Sequence, residues 1–280
     1  GFAEQQGAFE ATGTSTARPG YDSFNVFTDS ELKFSGSGKL DNGSKVSVTI
    51  EVEGDQNGTT RIDESWLGLS GDFGNFRVGT TKSAGALVSH GAPLPGAIAL
   101  GSPDSGNWII RPTNNVIGAA EGTNIGGGDN MKLTYTSNSF SGFKVGATYE
   151  PSSANANTPG LLGGTAGVDT QTMSAVIGYD SKVGNVTIGA DIGYWENHGT
   201  AANTMKSVRG GVKLGFGDIT VGASYLDVKD IRTGATANAK DVFDVGIQYA
   251  SGPMSVGAAY FAGSSPQTVA TAGDDSVDKV

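Results

Sequence analysis

Residues 45–54, Lys-Val-Ser-Val-Thr-Ile-Glu-Val-Glu-Gly, alternate polar and apolar side chains without a slip. Successive side chains of a strand point to opposite faces. Lys45, Ser47, Thr49, Glu51 and Glu53 therefore share one face, and Val46, Val48, Ile50 and Val52 share the other. The same period of two recurs over 31–40, 131–137, 143–150, 186–195, 208–216, 219–225, 242–249 and 254–260, with a partial repeat at 274–280. Such a chain is all-β, and its apolar faces must lie against either a second protein layer or lipid.

The connections alternate in length. Short turns rich in Asn, Asp, Gly and Pro fall at 41–43, 71–74, 137–142, 180–185, 217–218 and 250–253, which is hairpin chemistry. Longer polar loops fall near 11–22, 54–60, 151–169, 197–204, 230–239 and 263–274. A meander with tight turns at one end and loops at the other is the layout of an outer-membrane barrel. Aromatic residues gather at the strand ends. Tyr135, Phe143, Tyr179, Phe216 and Tyr249 stand beside short turns; Tyr149, Tyr194, Trp195, Tyr225, Tyr260 and Phe261 stand beside long loops. Two girdles at membrane–water boundaries have this form.

Three features favour lipid over a soluble sandwich. The apolar faces are dominated by Val, Ala, Gly and Tyr, too little bulk for a sandwich core of this size at native packing density. The polar faces carry small residues such as Thr187, Gly189, Gly222, Ser224, Gly246 and Ser255, which leave room for water in a lumen. No Lys or Arg falls centrally on an apolar face, where it would cost about 2–4 kcal/mol in a bilayer. No run approaches the roughly 20 apolar residues of a membrane helix, but a closed barrel satisfies its backbone between strands and needs none.

Composition excludes several functions. The 18 basic and 28 acidic residues leave a net charge of −10, which argues against nucleic acid and against docking on anionic lipid by charge. With no cysteine, disulfides, thiolate metal sites and cysteine nucleophiles are absent. The two histidines, His90 and His198, are far apart in sequence and read as solvated or pore-lining rather than as ligands or bases. The 36–39 stretch Gly-Ser-Gly-Lys lacks the upstream glycine and following hydroxyl of a phosphate loop. Gly-Gly-Gly-Asp-Asn at 126–130 reads as a flexible re-entry into a strand. Asp63 and Glu64, without a nucleophile beside them, read as structural. The chain is not expected to be an enzyme.

The hairpin rhythm stops between Lys82 and Met131. Structureless loops beyond about 12–15 residues are uncommon. This one is apolar, with Leu87, Val88, Leu94, Ile98, Leu100, Trp108, Ile109, Ile110, Val116 and Ile117, while Pro93, Pro95, Pro103 and Pro112 preclude a long helix. The 61–70 strand sets Leu67 and Leu69 opposite Trp66, as though both its faces were partly buried. The segment is therefore expected to fold into the barrel against that inner wall and narrow it.

With the 29–54 and 62–79 stretches followed by this long third loop, the sequence resembles the general porins of alphaproteobacterial outer membranes. The opening Gly-Phe-Ala-Glu-Gln-Gln is similar to the end of that family's first strand. The resemblance implies a sixteen-stranded transmembrane antiparallel barrel, a homotrimer, and a third loop forming the pore eyelet. Residues 1–280 would be one barrel domain, and 83–130 its inward-folded constriction loop. Loop acids carried over by position are Asp104, Glu121 and Asp129, with Arg111 in the same segment. Wall bases would be Lys33, Lys45, Arg77, Lys132, Arg209 and Lys213. The loop is poorer in acids than that family usually is. Some members bind calcium near the loop, but this segment carries no dense carboxylate cluster, and no cofactor or metal is expected. The sequence stops inside a fourteenth strand, so the last strands are expected to be missing.

The expected function is passive diffusion of small hydrophilic solutes and ions across the outer membrane, with mild cation preference from the net acidity. The expected partners are outer-membrane lipid and lipopolysaccharide, sister subunits and the solutes, with no nucleic acid. A solute-specific channel would need an aromatic track, for which Trp108 and Trp195 are the candidates. A soluble or surface-adhesive all-β protein would instead clasp its apolar faces inward.

Overall fold

The structure, a computed structural model, describes residues 2–9, 24–53, 62–93, 130–151, 171–198, 204–230, 240–266 and 274–279. Fourteen strands and one short helix make up these residues. The strands are β1 (Phe2–Phe9), β2 (Phe24–Lys39), β3 (Lys45–Glu53), β4 (Ile62–Gly71) and β5 (Gly74–Thr80), followed by the helix α1 (Ala84–Val88). Then come β6 (Met131–Thr136), β7 (Phe143–Glu150), β8 (Thr172–Val183), β9 (Val186–His198), β10 (Thr204–Phe216), β11 (Ile219–Asp230), β12 (Lys240–Ser251), β13 (Met254–Pro266) and β14 (Asp274–Lys279). They form one sheet in sequence order, each strand antiparallel to the next. The partial repeat at the end of the sequence is β14, paired with β13 from Phe261–Lys279 to Pro266–Asp274.

Turn chemistry fixes the register at the short-turn end. Between β2 and β3, Gly43 takes a φ of 84°, a left-handed value that favours glycine. Its N–H donates to the Leu40 carbonyl at 2.9 Å, and the Asn42 side chain accepts from the Ser44 N–H at 3.0 Å. Lys39 thereby pairs with Lys45, Ser37 with Ser47 and Ser35 with Thr49, so the face expected from alternation is continuous across both strands. Since a slip of one residue would reverse every side chain, this turn decides what the sheet shows on each side.

The two faces differ as a barrel in lipid requires. Outward residues are large, apolar and exposed, including Phe34, Val48, Leu67, Val78, Leu133, Val145, Ile177, Ile192, Val212, Val245 and Val256. Inward residues are polar and buried, including Thr49, Glu51, Thr134, Thr148, Ser174, Asp191, Ser207, Ser224 and Asp244. A water-soluble fold reverses this arrangement. On β9 the outward run Val186, Ile188, Ala190, Ile192, Tyr194 covers eight residue steps. At about 3.4 Å per residue and a tilt of about 40°, it rises roughly 20 Å along the normal, close to the ~25 Å apolar band of such barrels once the end side chains are added.

Outward aromatics cap this band at both edges. At the short-turn edge, Phe76 and Tyr135 stack at 4.8 Å between ring centroids and Phe143 and Tyr179 at 4.7 Å. At the long-loop edge Phe243 and Tyr260 lie 5.8 Å apart. Two expected members do not belong to the girdle. Trp195 and Phe261 are each one residue out of phase with an outward tyrosine, so they face inward, where Trp195 packs against Leu226, Val228, Val242 and Phe261. The expectation for β4 also needs correcting. Leu67 is 52 % exposed on the outside and only Trp66 looks inward, so that strand has one buried face rather than two.

Candidate functional site

The inner wall carries a strap. After β5 the chain turns inward at Thr80 and Thr81, both fully buried. The Ser83 hydroxyl caps α1 by accepting from the Ala86 N–H at 3.1 Å, and the helix lasts five residues. Gly91 and Pro93 follow, and neither continues a helix well. Residues 83–93 therefore form a compact turn of helix leading into an extended run, as the sequence suggests for the start of an inward loop.

The strap lies on β6–β12 and not on β4. The Thr148 hydroxyl of β7 accepts from the Ala84 N–H at 2.7 Å, and the Thr134 hydroxyl of β6 donates to the Lys82 carbonyl at 3.3 Å. Beyond the helix, the Asp191 carboxylate of β9 accepts from the His90 N–H. Arg209 of β10 donates both to that carboxylate and to the His90 carbonyl, closing a ring around the backbone of residue 90. Asp244 of β12 accepts from the Ala92 N–H at 2.8 Å and from the Ser224 hydroxyl at 2.6 Å. From His90 to Ala92 the strap advances about one strand per residue. A residue spans at most about 3.8 Å, whereas strands are spaced about 4.8 Å apart. That short cut exists only on the concave side of a curved sheet, so the strap lies within the lumen.

What admits it is a row of inward glycines, one on each strand from β7 to β12. A Cβ built on Gly146, Gly178, Gly189, Gly211 or Gly222 would come closer than 3.0 Å to Ala84, Val88, His90, His90 and Gly91 respectively, and one on Gly246 would reach Ala92 at 3.0 Å. The sequence reading took Gly189, Gly222 and Gly246 as room for water; the strap occupies that room. The physical reason is simple: a missing side chain marks space without saying what fills it.

The expected site residues fall into three groups. Lys33, Lys45, Arg77 and Lys213 stand on inward positions, Lys33 paired with Glu51 at 2.7 Å and Arg77 lying 4.4 Å over the Trp66 ring. Lys132 and Arg209 also face inward but are 1 % and 2 % exposed, paired with Glu150 (3.8 Å) and Asp191. These ion pairs tie both side chains to the wall. Asp104, Arg111, Glu121 and Asp129 lie outside the described residues, as does Trp108. Glu64 of the Asp63–Glu64 pair accepts from the Trp66 indole at 3.0 Å and lies 3.7 Å from Lys82, a structural role.

His90 is the residue whose role the sequence concealed. It is neither solvated nor lining open lumen. Its Nε2 lies 2.9 Å from Asp180 and its Nδ1 3.3 Å from Asp191. The Asp191 carboxylate, aided by Asp180, raises its pKa above 6.5 against the opposing pull of burial. His198 sits at the far end of β9, 3.2 Å from Glu196. Between the strap and β3–β7 lies a cavity of about 390 Å³ lined by Lys45, Trp66, Arg77, Leu87 and Lys144, among others, with no carboxylate among the described residues of its lining. Among the described residues, no group of three His, Cys, Asp or Glu side chains is placed to hold a metal ion.

Comparison with known proteins identifies this architecture. The sequence matches the family profile described as Gram-negative porin over residues 3–280. No curated protein matches it by sequence. Among solved structures, a loop-L8 deletion mutant of OmpT, an outer membrane protein of Vibrio cholerae, is similar with a TM-score of 0.60 at 12 % identity, over 98 % of this chain and 82 % of that one. A refined porin structure is similar with a TM-score of 0.55 at 20 % identity, over 87 % and 84 % of the two chains. An anion-selective porin from Comamonas acidovorans is similar with a TM-score of 0.52 at 16 % identity, over 86 % and 74 %. At these identities the structural likeness speaks for the fold alone, and the family profile supplies the rest. The chain belongs to the Gram-negative porin family, an integral outer-membrane β-barrel whose lumen is a channel for small solutes.

Proposed function

We propose that this porin is a passive, mildly cation-preferring pore for small hydrophilic solutes and ions, sorted by bore and charge rather than by specific recognition. The observation that carries this reading is the strap inside a polar inner wall, which occupies part of the lumen. The cation preference is supported by the net charge of −10. The resemblance to porins supports reading residues 83–130 as the constriction loop; its charged residues Asp104, Arg111, Glu121 and Asp129 lie outside the described residues, and the wall bases they would complement are Lys33, Lys45, Arg77 and Lys213. The resemblance to porins supports sixteen strands in the whole barrel, a homotrimer, and a lipid and lipopolysaccharide surround. No cofactor or enzymatic step enters the proposal.

A specific observation favours a second reading. The cavity beside the strap presents Lys45, Arg77 and Lys144 and, among the described residues, no acid, which suits an anion-preferring constriction despite the acidic total. Reversal potentials in planar bilayers across a KCl gradient separate the two. A cation-to-anion permeability ratio above one supports the first reading; a ratio at or below one rejects it, and one clearly below one selects the second.

A further inference from the structure

The inner-wall glycines and the Asp191–Arg209 ring hold the strap from behind and from the side, yet none of these residues is exposed to the lumen. Arg209 is 2 % exposed and Asp191 9 %. We propose that they are the positioning residues that fix how deeply the strap sits, and so set the free bore of the channel. This rests on the porin reading above. The wall lies directly behind the strap, so anything that fills a glycine position can displace the strap in one direction only, toward the lumen. Gly211 is the sharpest case. A Cβ there would meet the carbonyl group of His90, a backbone that cannot rotate aside, and Asp191 Oδ1 at 2.8 Å. At Gly178 the obstacle is the end of the Val88 side chain, which is easier to move. Gly210, one residue from Gly211 on the opposite face, would place its Cβ 3.8 Å from the nearest atom, the Asp191 carbonyl oxygen, which is ordinary contact.

This assignment gives Arg209 a different role from the one a pore charge would have. A base facing the solute shifts ion selectivity when removed and leaves the bore unchanged. A base that ties the strap's backbone changes the bore, because its loss frees residue 90, while selectivity moves less than it does on removing the exposed Lys45.

The test uses the full barrel in planar bilayers, with liposome swelling to read the largest sugar admitted. Gly211→Ala is expected to lower single-channel conductance roughly twofold and to shrink the sugar limit, with the reversal potential unchanged because no charge is altered. Gly210→Ala is expected to behave as the unaltered protein. Equal or higher conductance in Gly211→Ala, in a barrel that folds, overturns the proposal. A second pair keeps the idea testable should that variant fail to fold. The chain has no cysteine, and a Cβ at 246 would lie 3.0 Å from the Cβ of Ala92. A shift of about 0.5 Å brings the two into the ~3.5–4.5 Å range of a disulfide. The double variant Ala92→Cys, Gly246→Cys should crosslink under mild oxidant in the folded barrel, with conductance the same before and after reduction. No crosslink, or a conductance that changes more than about twofold on reduction, also overturns it. Absence of any channel in the unaltered protein would refute the porin reading instead, while the crosslink would still report on the seat.

Discussion

Replacing Ile192 by lysine separates a lipid-facing wall from a solvated one by the sign of the effect. Ile192 lies within the outward run of β9, one outward position inside Tyr194, and is 58 % exposed. It lies opposite Ile177 of β8 and Gly210 of β10, with tyrosine-bearing edges above and below. If lipid covers it, two costs add. Removing a little over half of an isoleucine's contact with the apolar phase loses about 1–2 kcal/mol of the ~1.5–3 kcal/mol that full burial provides. Placing a lysine inside the apolar band costs up to about 2–4 kcal/mol more. Ile192→Lys should thus destabilise the inserted barrel by up to about 3–6 kcal/mol, and Ile192→Ala by about 1–2 kcal/mol. In water the same lysine would be neutral or helpful. Reversible urea unfolding from phospholipid vesicles, followed by Trp fluorescence, reads the difference. Lysine in place of Tyr194, at the edge of the band, should cost only about 0–1 kcal/mol for its charge. If Ile192→Lys costs less than about 0.5 kcal/mol, or if the two lysine positions cost the same, the outer face is not in lipid and the reasoning fails.

Other expectations follow from the inner wall and the turns. His90, with Asp180, Asp191, Arg209 and Lys144 around it, has a raised pKa, so protonation favours the seated strap. That contribution is fully present below the unfolded value of 6.5 and is lost as pH rises through the folded one; an imidazole NMR titration should show a midpoint above 6.5 that falls in Asp191→Asn. Lys45→Ala together with Arg77→Ala should raise the cation-to-anion permeability ratio without lowering barrel stability by more than about 1 kcal/mol, measured by reversal potential and urea unfolding. Gly43→Ala should destabilise the β2–β3 hairpin by about 1 kcal/mol, because its φ of 84° suits glycine.

Alternation made most of the strands legible because their outward and inward faces meet different solvents along nearly their whole length. β3 and β9–β13 follow the reading residue by residue in their central parts. Legibility failed where parity was inferred from residue type and not from register. Trp195 and Phe261 were grouped with the adjacent tyrosines, although a neighbour on a strand always points the other way. The inner site was less legible still. Lys132 and Arg209 are inward as alternation requires, but only three-dimensional proximity reveals that Glu150 and Asp191 neutralise them. His90 gave no signal, because its partners Asp180 and Asp191 are about a hundred residues away in sequence. The glycine row was visible as composition and invisible as a row, since its spacing follows hairpin lengths rather than any period of the chain.

The order in which the strap meets its partners has a consequence for biogenesis. Ala84 binds β7 across 64 residues of chain, His90 binds β9 across 101, and Ala92 binds β12 across 152. If the wall is laid down hairpin by hairpin from its N-terminal side, each later anchor becomes available only when another strand has arrived. The strap then closes like a zip behind the growing edge, and the Ala92–Asp244 bond cannot engage until β12 stands in the bilayer.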